Sequence, residues 1–122
     1  MYAGLAEQIA RQERFFATVI TTPDGVHFET DEIAGLAVEW TTPAAGVTDL
    51  DLVVLYIHGG GYSVGCAKWA RRAAARLAIR TGARVVAPDY RLAPQFPFPA
   101  AHEDALAVYT HLIGSGGFAP ER

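Results

Sequence analysis

The stretch Ile57-His58-Gly59-Gly60-Gly61-Tyr62-Ser63-Val64-Gly65 holds most of the chemistry that this 122-residue sequence offers. Three consecutive glycines behind an aliphatic run let the backbone turn sharply and present bare N–H groups. Such a loop suits three kinds of site. The first is an oxyanion hole, in which two preorganised N–H donors meet the charge that develops on a carbonyl oxygen during acyl transfer. Losing one such donor typically costs about 3–4 kcal/mol of barrier. The second is a dinucleotide cradle, because Gly59, Gly61 and Gly65 lie between a strand and a helix, and Asp89 ends the next strand. That fingerprint needs its third glycine where Val64 stands, and no phosphate-loop lysine follows Gly65. The third is a nucleophile elbow, since Gly61-Tyr62-Ser63-Val64-Gly65 matches G-x-S-x-G. In an elbow the strand runs directly into the serine turn, whereas His58 and two further glycines intervene here. A plain tight turn needs no histidine and no third glycine, so the His-Gly-Gly-Gly string argues for chemistry.

The remaining candidates are weaker. Tyr62 and Trp69 flank the glycine loop, where they either line a substrate pocket or simply pack. His102-Glu103 opens like a zinc-binding H-E-x-x-H, but Leu106 stands where the second histidine belongs, so a helix-start role is expected and no metal site. His27 and His111 lack partners at ligand spacing and read as surface residues. Cys66 reads as filler. Arg71, Arg72, Arg76, Arg80 and Arg84 fall on the non-apolar side of a helical pattern and read as a solvated stripe.

The elements that position these residues follow from periodicity. Ala3 to Thr18 reads as an amphipathic helix, with Leu5, Ile9 and Phe16 at helical spacing. Thr22-Pro23-Asp24-Gly25 is a turn signal, and strands are expected at Val26–Thr30 and Leu36–Thr41, the second with Val38 and Trp40 inward. Leu52 to Ile57 is apolar without alternation, as in a parallel strand buried on both faces. A helix is predicted over Lys68–Thr81, with Ala70, Ala73, Ala74, Leu77 and Ala78 inward and Gly82 as its cap. A short strand over Arg84–Ala87, a proline-rich loop to Pro99, and a helix over Ala100–Ile113 burying Ala105, Val108, Tyr109 and Leu112 complete the pattern. The alternation of strands and helices predicts an α/β fold.

Composition bounds the rest. The chain is 51% hydrophobic with a formal charge of −3, so one globular domain is expected, with no nucleic-acid partner. The longest apolar run is too short to span a bilayer. Charges at Glu7, Arg11, Glu13 and Arg14 exclude a secretory signal, and a single cysteine fits a reducing, cytoplasmic setting.

Two motifs at matching separation complete the reading: His58-Gly59-Gly60-Gly61-Tyr62, and Asp89-Tyr90-Arg91-Leu92-Ala93-Pro94 followed by Phe96-Pro97-Phe98-Pro99-Ala100-Ala101 and Glu103-Asp104-Ala105. On these residues the sequence resembles the hormone-sensitive-lipase-like branch of the α/β-hydrolases, from about Val38 onward. The resemblance implies the N-terminal part of that fold, a mostly parallel sheet with flanking helices. Residues 1–18 match its variable N-terminal cap, and 19–122 match its first strands, oxyanion loop and two helices. It implies a serine carboxylesterase acting on small-molecule esters without a cofactor. It also implies that Gly60 and Gly61 supply oxyanion N–H donors, that Gly59 shapes the approach, and that His58 holds the loop rather than acting as a base. Asp89 and Arg91 are implied to tie the loop after their strand to its neighbours.

The family's Gly-x-Ser-x-Gly nucleophile, acid and histidine would all lie beyond Pro120-Glu121-Arg122, so the chain is expected to be truncated before the nucleophile strand and inactive alone. In that fold Leu52–Ile57 would then form an open edge with no lysine, proline or bulge to blunt it, and self-association or aggregation is expected. The competing readings are a non-catalytic binding or assembly module that needs a second chain and, more weakly, a nucleotide-binding domain.

Overall fold

A computed structural model describes residues 2–120, so the two last residues of the expected chain end lie outside it. The elements in order are α1 (Tyr2–Ala17), β1 (Val26–Ile33), β2 (Leu36–Pro43), β3 (Val53–Leu55), a 3-10 turn (Ala67–Ala70), α2 (Arg71–Thr81), β4 (Arg84–Pro88) and α3 (Ala100–Ile113). The strands form one sheet in the order β1-β2-β4-β3. β3 and β4 pair in parallel, as their apolar runs predict, while β1–β2 and β2–β4 are antiparallel. The described sheet is therefore mixed rather than mostly parallel, because the hairpin supplies its antiparallel half. Among the described residues, no helix is long and apolar enough to cross a membrane.

The hairpin is longer than its sequence suggests. β1 runs on through Asp31 and Glu32 to Ile33, which pairs with Leu36 across a two-residue turn at Ala34 (φ 53°) and Gly35 (φ 77°). An edge strand tolerates these acids because they face solvent, and Asp31 accepts the Trp40 indole N–H at 3.3 Å.

Pleating sorts the sheet residues onto two covered faces. Val38, Trp40 and Val86 pack with Ile33, Val108 and Leu112 on the α3 side, and Val53 and Leu55 lean on that cluster. Val26 and Val85 pack with Ala74, Ala75 and Ala78 of α2 on the other, joined by Val54 and Tyr56. Alanines let α2 lie close to the strands. Ala75 is buried where Ala73 was expected, a shift of the helix face by one side chain. Gly82 caps α2 at φ 68°, its N–H donating to Ala78.

Three further expectations change. β2 does not alternate: Glu39 and Thr41 are buried along with Val38 and Trp40, because helices cover both faces. β3 is only half-buried and regular over just three residues, since β4 lies on one side of it and the other side is the edge of the described sheet. On α3, Asp104 is buried, and Tyr109 is 42% exposed. α1 is exposed along most of its length.

The arginine stripe is also not uniformly solvated. The Arg71 guanidinium donates to both carboxylate oxygens of buried Glu39 at 2.8 Å and lies over the Phe28 ring. That pair, chiefly through the hydrogen bond, raises the Arg71 pKa further above its usual value. Arg84 lies 3.9 Å from the Trp40 ring centre. A helix and a strand that pack against the sheet carry these stems inward, which a one-dimensional stripe does not reveal.

Candidate active site

β3 ends as Tyr56 N–H donates to the Val86 carbonyl, and the chain then leaves the sheet through Ile57 and His58. His58 is buried and stacks on Tyr90, ring centres 4.2 Å apart. The Tyr90 hydroxyl donates to the His58 carbonyl at 2.5 Å, and His58 Nδ1 lies 2.8 Å from the Gly59 carbonyl. A carbonyl only accepts, so that contact places the ring proton on Nδ1. Nε2 is left as an acceptor, buried with no partner among the described residues. Burial pushes the Tyr90 phenol above its usual pKa, with Tyr62 adding to the shift, so it stays a donor at neutral pH. His58 is thus held by hydrogen bonds at its carbonyl and at Nδ1, as a scaffold for the loop.

The loop then tightens. The Gly60 carbonyl accepts the N–H groups of Ser63 and Val64 and, at 3.4 Å, the Ser63 hydroxyl. Ser63 therefore addresses a backbone carbonyl and not an imidazole, which removes the geometry a nucleophile elbow requires. Two glycines are dictated by the fold. A Cβ on Gly60 would stand 1.9 Å from the Val64 carbonyl oxygen, and one on Gly65 would stand 2.5 Å from His58 Nδ1. Gly59 is different: its φ is ordinary for any residue and a Cβ there meets nothing within 4 Å. Folding alone gives no reason for a glycine at that position. Among the described residues, the N–H groups of Gly59, Gly60 and Gly61 donate to no protein acceptor. The Gly59 and Gly60 carbonyls are thus used internally while a run of three N–H donors is left over among the described residues.

Tyr62 adopts φ 62°, which is strained for a bulky side chain. It is held there by Ala93 N–H donating to its carbonyl and by its ring stacking on His102 at 5.3 Å. His102 therefore braces Tyr62, and α3 has no side-chain cap at its start.

Asp89 and Arg91 do not pair with each other. Asp89 accepts the Ala67 N–H at 2.7 Å, fixing the 3-10 turn that follows the glycine loop. Arg91 grips Asp104 of α3 through guanidinium contacts of 2.8 and 3.0 Å and through its own N–H. Burial works to raise the Asp104 pKa, but those Arg91 hydrogen bonds prevail and hold the carboxyl below its usual range.

Trp69 and Tyr62 are not brought together. A cavity of about 300 Å³ lies between Gly59, Gly60, Tyr56, Trp69 and Phe16 of α1, whose ring stacks on Trp69 at 4.5 Å. Tyr62 lines a separate cavity of about 190 Å³ with Ile57, Tyr90 and His102. Cys66 is half-buried, while His27 and His111 are exposed, His111 lying 3.0 Å from the Ser115 hydroxyl. Sequence reasoning places Tyr90 and Asp104 in a motif without giving them roles, and it misses Glu39. For Glu39 a signal existed, because an acid inside an otherwise apolar strand requires a cation. The roles of Tyr90 and Asp104 depend on partners 32 and 13 residues away and had no local signal.

A family profile described as the alpha/beta hydrolase fold matches residues 54–121. The putative acetyl-hydrolase LipR of Mycobacterium tuberculosis is 39% identical over 95% of this chain and 38% of its own. The crystal structure of EstE5 soaked with p-nitrophenyl butyrate superposes at a TM-score of 0.83 and 33% identity, over 92% of this chain and 37% of that one. A crystal structure of an esterase from the bacterial hormone-sensitive lipase family does so at 0.80 and 35%, over 90% and 37%. The chain thus spans less than two-fifths of the length of each of these proteins.

Proposed function

The chain belongs to the α/β-hydrolase family, in its hormone-sensitive-lipase-like branch, and from that premise we propose that its glycine loop is the oxyanion hole of a carboxylic-ester hydrolase. The observation that carries this reading is the imbalance in the loop. The Gly60 carbonyl accepts from Ser63 and Val64 and the Gly59 carbonyl from His58, whereas among the described residues the N–H groups of Gly59, Gly60 and Gly61 stay uncommitted, those of Gly59 and Gly60 belonging to residues that line a cavity. Gly60 and Gly61 would donate to the oxyanion, and Gly59 keeps open the space through which the carbonyl approaches. His58, Tyr90 and Asp89 hold the donors in place before substrate arrives, which is what makes such donors effective. Trp69, which lines the cavity beside Gly59 and Gly60, would lie along the path of the ester's acyl or alcohol arm. A serine, its histidine and its acid would come from outside residues 1–122, and the single free Cys66 favours a reducing, cytoplasmic setting.

Replacing the matching segment of LipR with residues 1–122 tests the proposal in a whole enzyme. The chimera is expected to hydrolyse p-nitrophenyl acetate, and Gly59→Val is expected to reduce kcat/KM at least tenfold. A folded chimera without turnover, or one indifferent to Gly59→Val, overturns the reading. Residues 1–122 by themselves are expected to show no turnover above denatured protein; turnover abolished by Ser63→Ala would restore the elbow.

One observation favours the second reading, a module that assembles with another chain. β3 has an aliphatic outer edge, and Leu106, Tyr109 and Ile113 of α3 are exposed. A parallel strand is ordinarily covered on both faces and paired on both edges, so self-association through β3 fits the surface that the described residues leave open.

A further inference from the structure

The cavity beside the glycine loop contains a cation and no carboxylate. Phe16, Tyr56 and Trp69 give it aromatic walls, Gly59 and Gly60 give it N–H donors, and Arg72 joins the lining from the second position of α2. Other arginines around the sheet are committed: Arg71 to Glu39, Arg84 to the Trp40 ring, and Arg91 to Asp104. Arg72 makes no ion pair or hydrogen bond among the described residues. The start of α2 adds partial positive charge of the same sign. Buried His58 also lines this cavity, and its Nε2 has no hydrogen-bond partner among the described residues. An aromatic slot with backbone donors at its base and an unpaired guanidinium in its wall is complementary to a ligand with an apolar middle, a carbonyl and a distant anion.

We propose that this cavity takes esters whose acyl or alcohol arm ends in a carboxylate, and that Arg72 selects them. The inference rests on the ester-hydrolase reading above. Arg72 acts as a specificity-determining residue and does not touch the reacting carbonyl. Its guanidinium offers a planar pair of donors that matches a carboxylate. Because the side chain is exposed, the expected discrimination is modest, about fivefold, and it should shrink as salt is added.

The test is ligand-detected saturation-transfer NMR on the full 122-residue chain, a method that reads monomers and assemblies alike. The probes are monoethyl glutarate and ethyl 4-carbamoylbutanoate, its neutral amide counterpart. Both esters are expected to bind, the acid about fivefold more tightly. Arg72→Gln should equalise the two, and Arg72→Lys should retain part of the preference. Circular dichroism melts check that both variants fold, which an exposed helical position predicts. Equal binding of acid and amide to the unsubstituted chain, or a preference that survives Arg72→Gln, overturns the role of Arg72 and leaves the ester reading standing. Binding of neither ester overturns both.

Discussion

The β1–β2 hairpin and the β3–glycine-loop unit occupy opposite edges of the same sheet and are built on opposite terms. The hairpin is local. Its strands pair residue for residue through a two-residue turn, and its outer edge carries Glu29, Asp31 and Glu32. β3 has three regular residues, all aliphatic, and depends on a partner more than 25 positions away in sequence. The loop beyond it is fixed by Tyr90, Val64 and the turn at Ala67 rather than by near neighbours within a ladder. The difference teaches that the region proposed to carry the chemistry is the one organised by contacts distant in sequence. Among the described residues, uncommitted donors and an apolar edge lie together there, whereas the hairpin edge carries acids that blunt it against partners.

The largest expected effect is on association. The 122-residue chain should elute as a dimer or larger species in size-exclusion chromatography with light scattering. Val53→Lys on β3 should shift it toward monomer by placing a charge beside the apolar edge, with a circular dichroism melt to check that the variant, whose residue 53 also touches the α3-side cluster, stays folded. Thr30→Lys on the hairpin edge should leave the mass unchanged. A monodisperse monomer with a cooperative melt would break the comparison at once, since β3 would then need no partner.

Next in size is a pair of glycine substitutions. Gly60→Ala puts a Cβ against the Val64 carbonyl oxygen at a φ of 134°, so it should cost about 2–4 kcal/mol in a urea melt. Gly35→Asn in the hairpin turn has a φ of 77° but open space around the added atom, and asparagine tolerates that backbone; it should stay within about 0.5 kcal/mol. Equal costs would mean that the glycine loop is no more tightly determined than the hairpin turn.

The smallest effect expected is on pH dependence. Arg91 holds the Asp104 carboxyl below its usual range, so the ionised form is favoured in the folded state. Stability from this contact is fully present above the unfolded carboxylate pKa of about 4 and is lost as pH falls through the lower, folded value. Thermal melts between pH 6 and pH 2 should show this decline below about pH 4, and Asp104→Asn should flatten part of it. Arg91 is 40% exposed, so solvent screens the pair and the change should be modest. An acid limb identical in the variant would show that this corner does not help to hold the β3 side.

What could be read in one dimension depended on how locally each feature is encoded. The turn at Gly25, the Gly82 cap and the helices rest on contacts within a few residues, the aliphatic strands announce themselves by their own apolar runs, and all lie within a few positions of where these patterns put them. The apolar pattern ends β1 at Thr30 because acids follow it, although an edge strand accommodates them through Ile33. The glycine string marked the site because few backbones need three glycines behind a strand. Tertiary structure alone decided which of those glycines the fold itself demands, since Gly60 and Gly65 are constrained by Val64 and His58 while Gly59 is not. It alone separated Tyr62 from Trp69, sent Asp89 and Arg91 to different partners, and drew Arg71 to Glu39 while leaving Arg72 unpaired beside the cavity. Neighbouring arginines on one helix look alike in sequence. Which one meets a buried acid and which one faces a cleft follows from how the helix is rotated against the sheet, and that rotation is set by the packing of alanines onto distant strands.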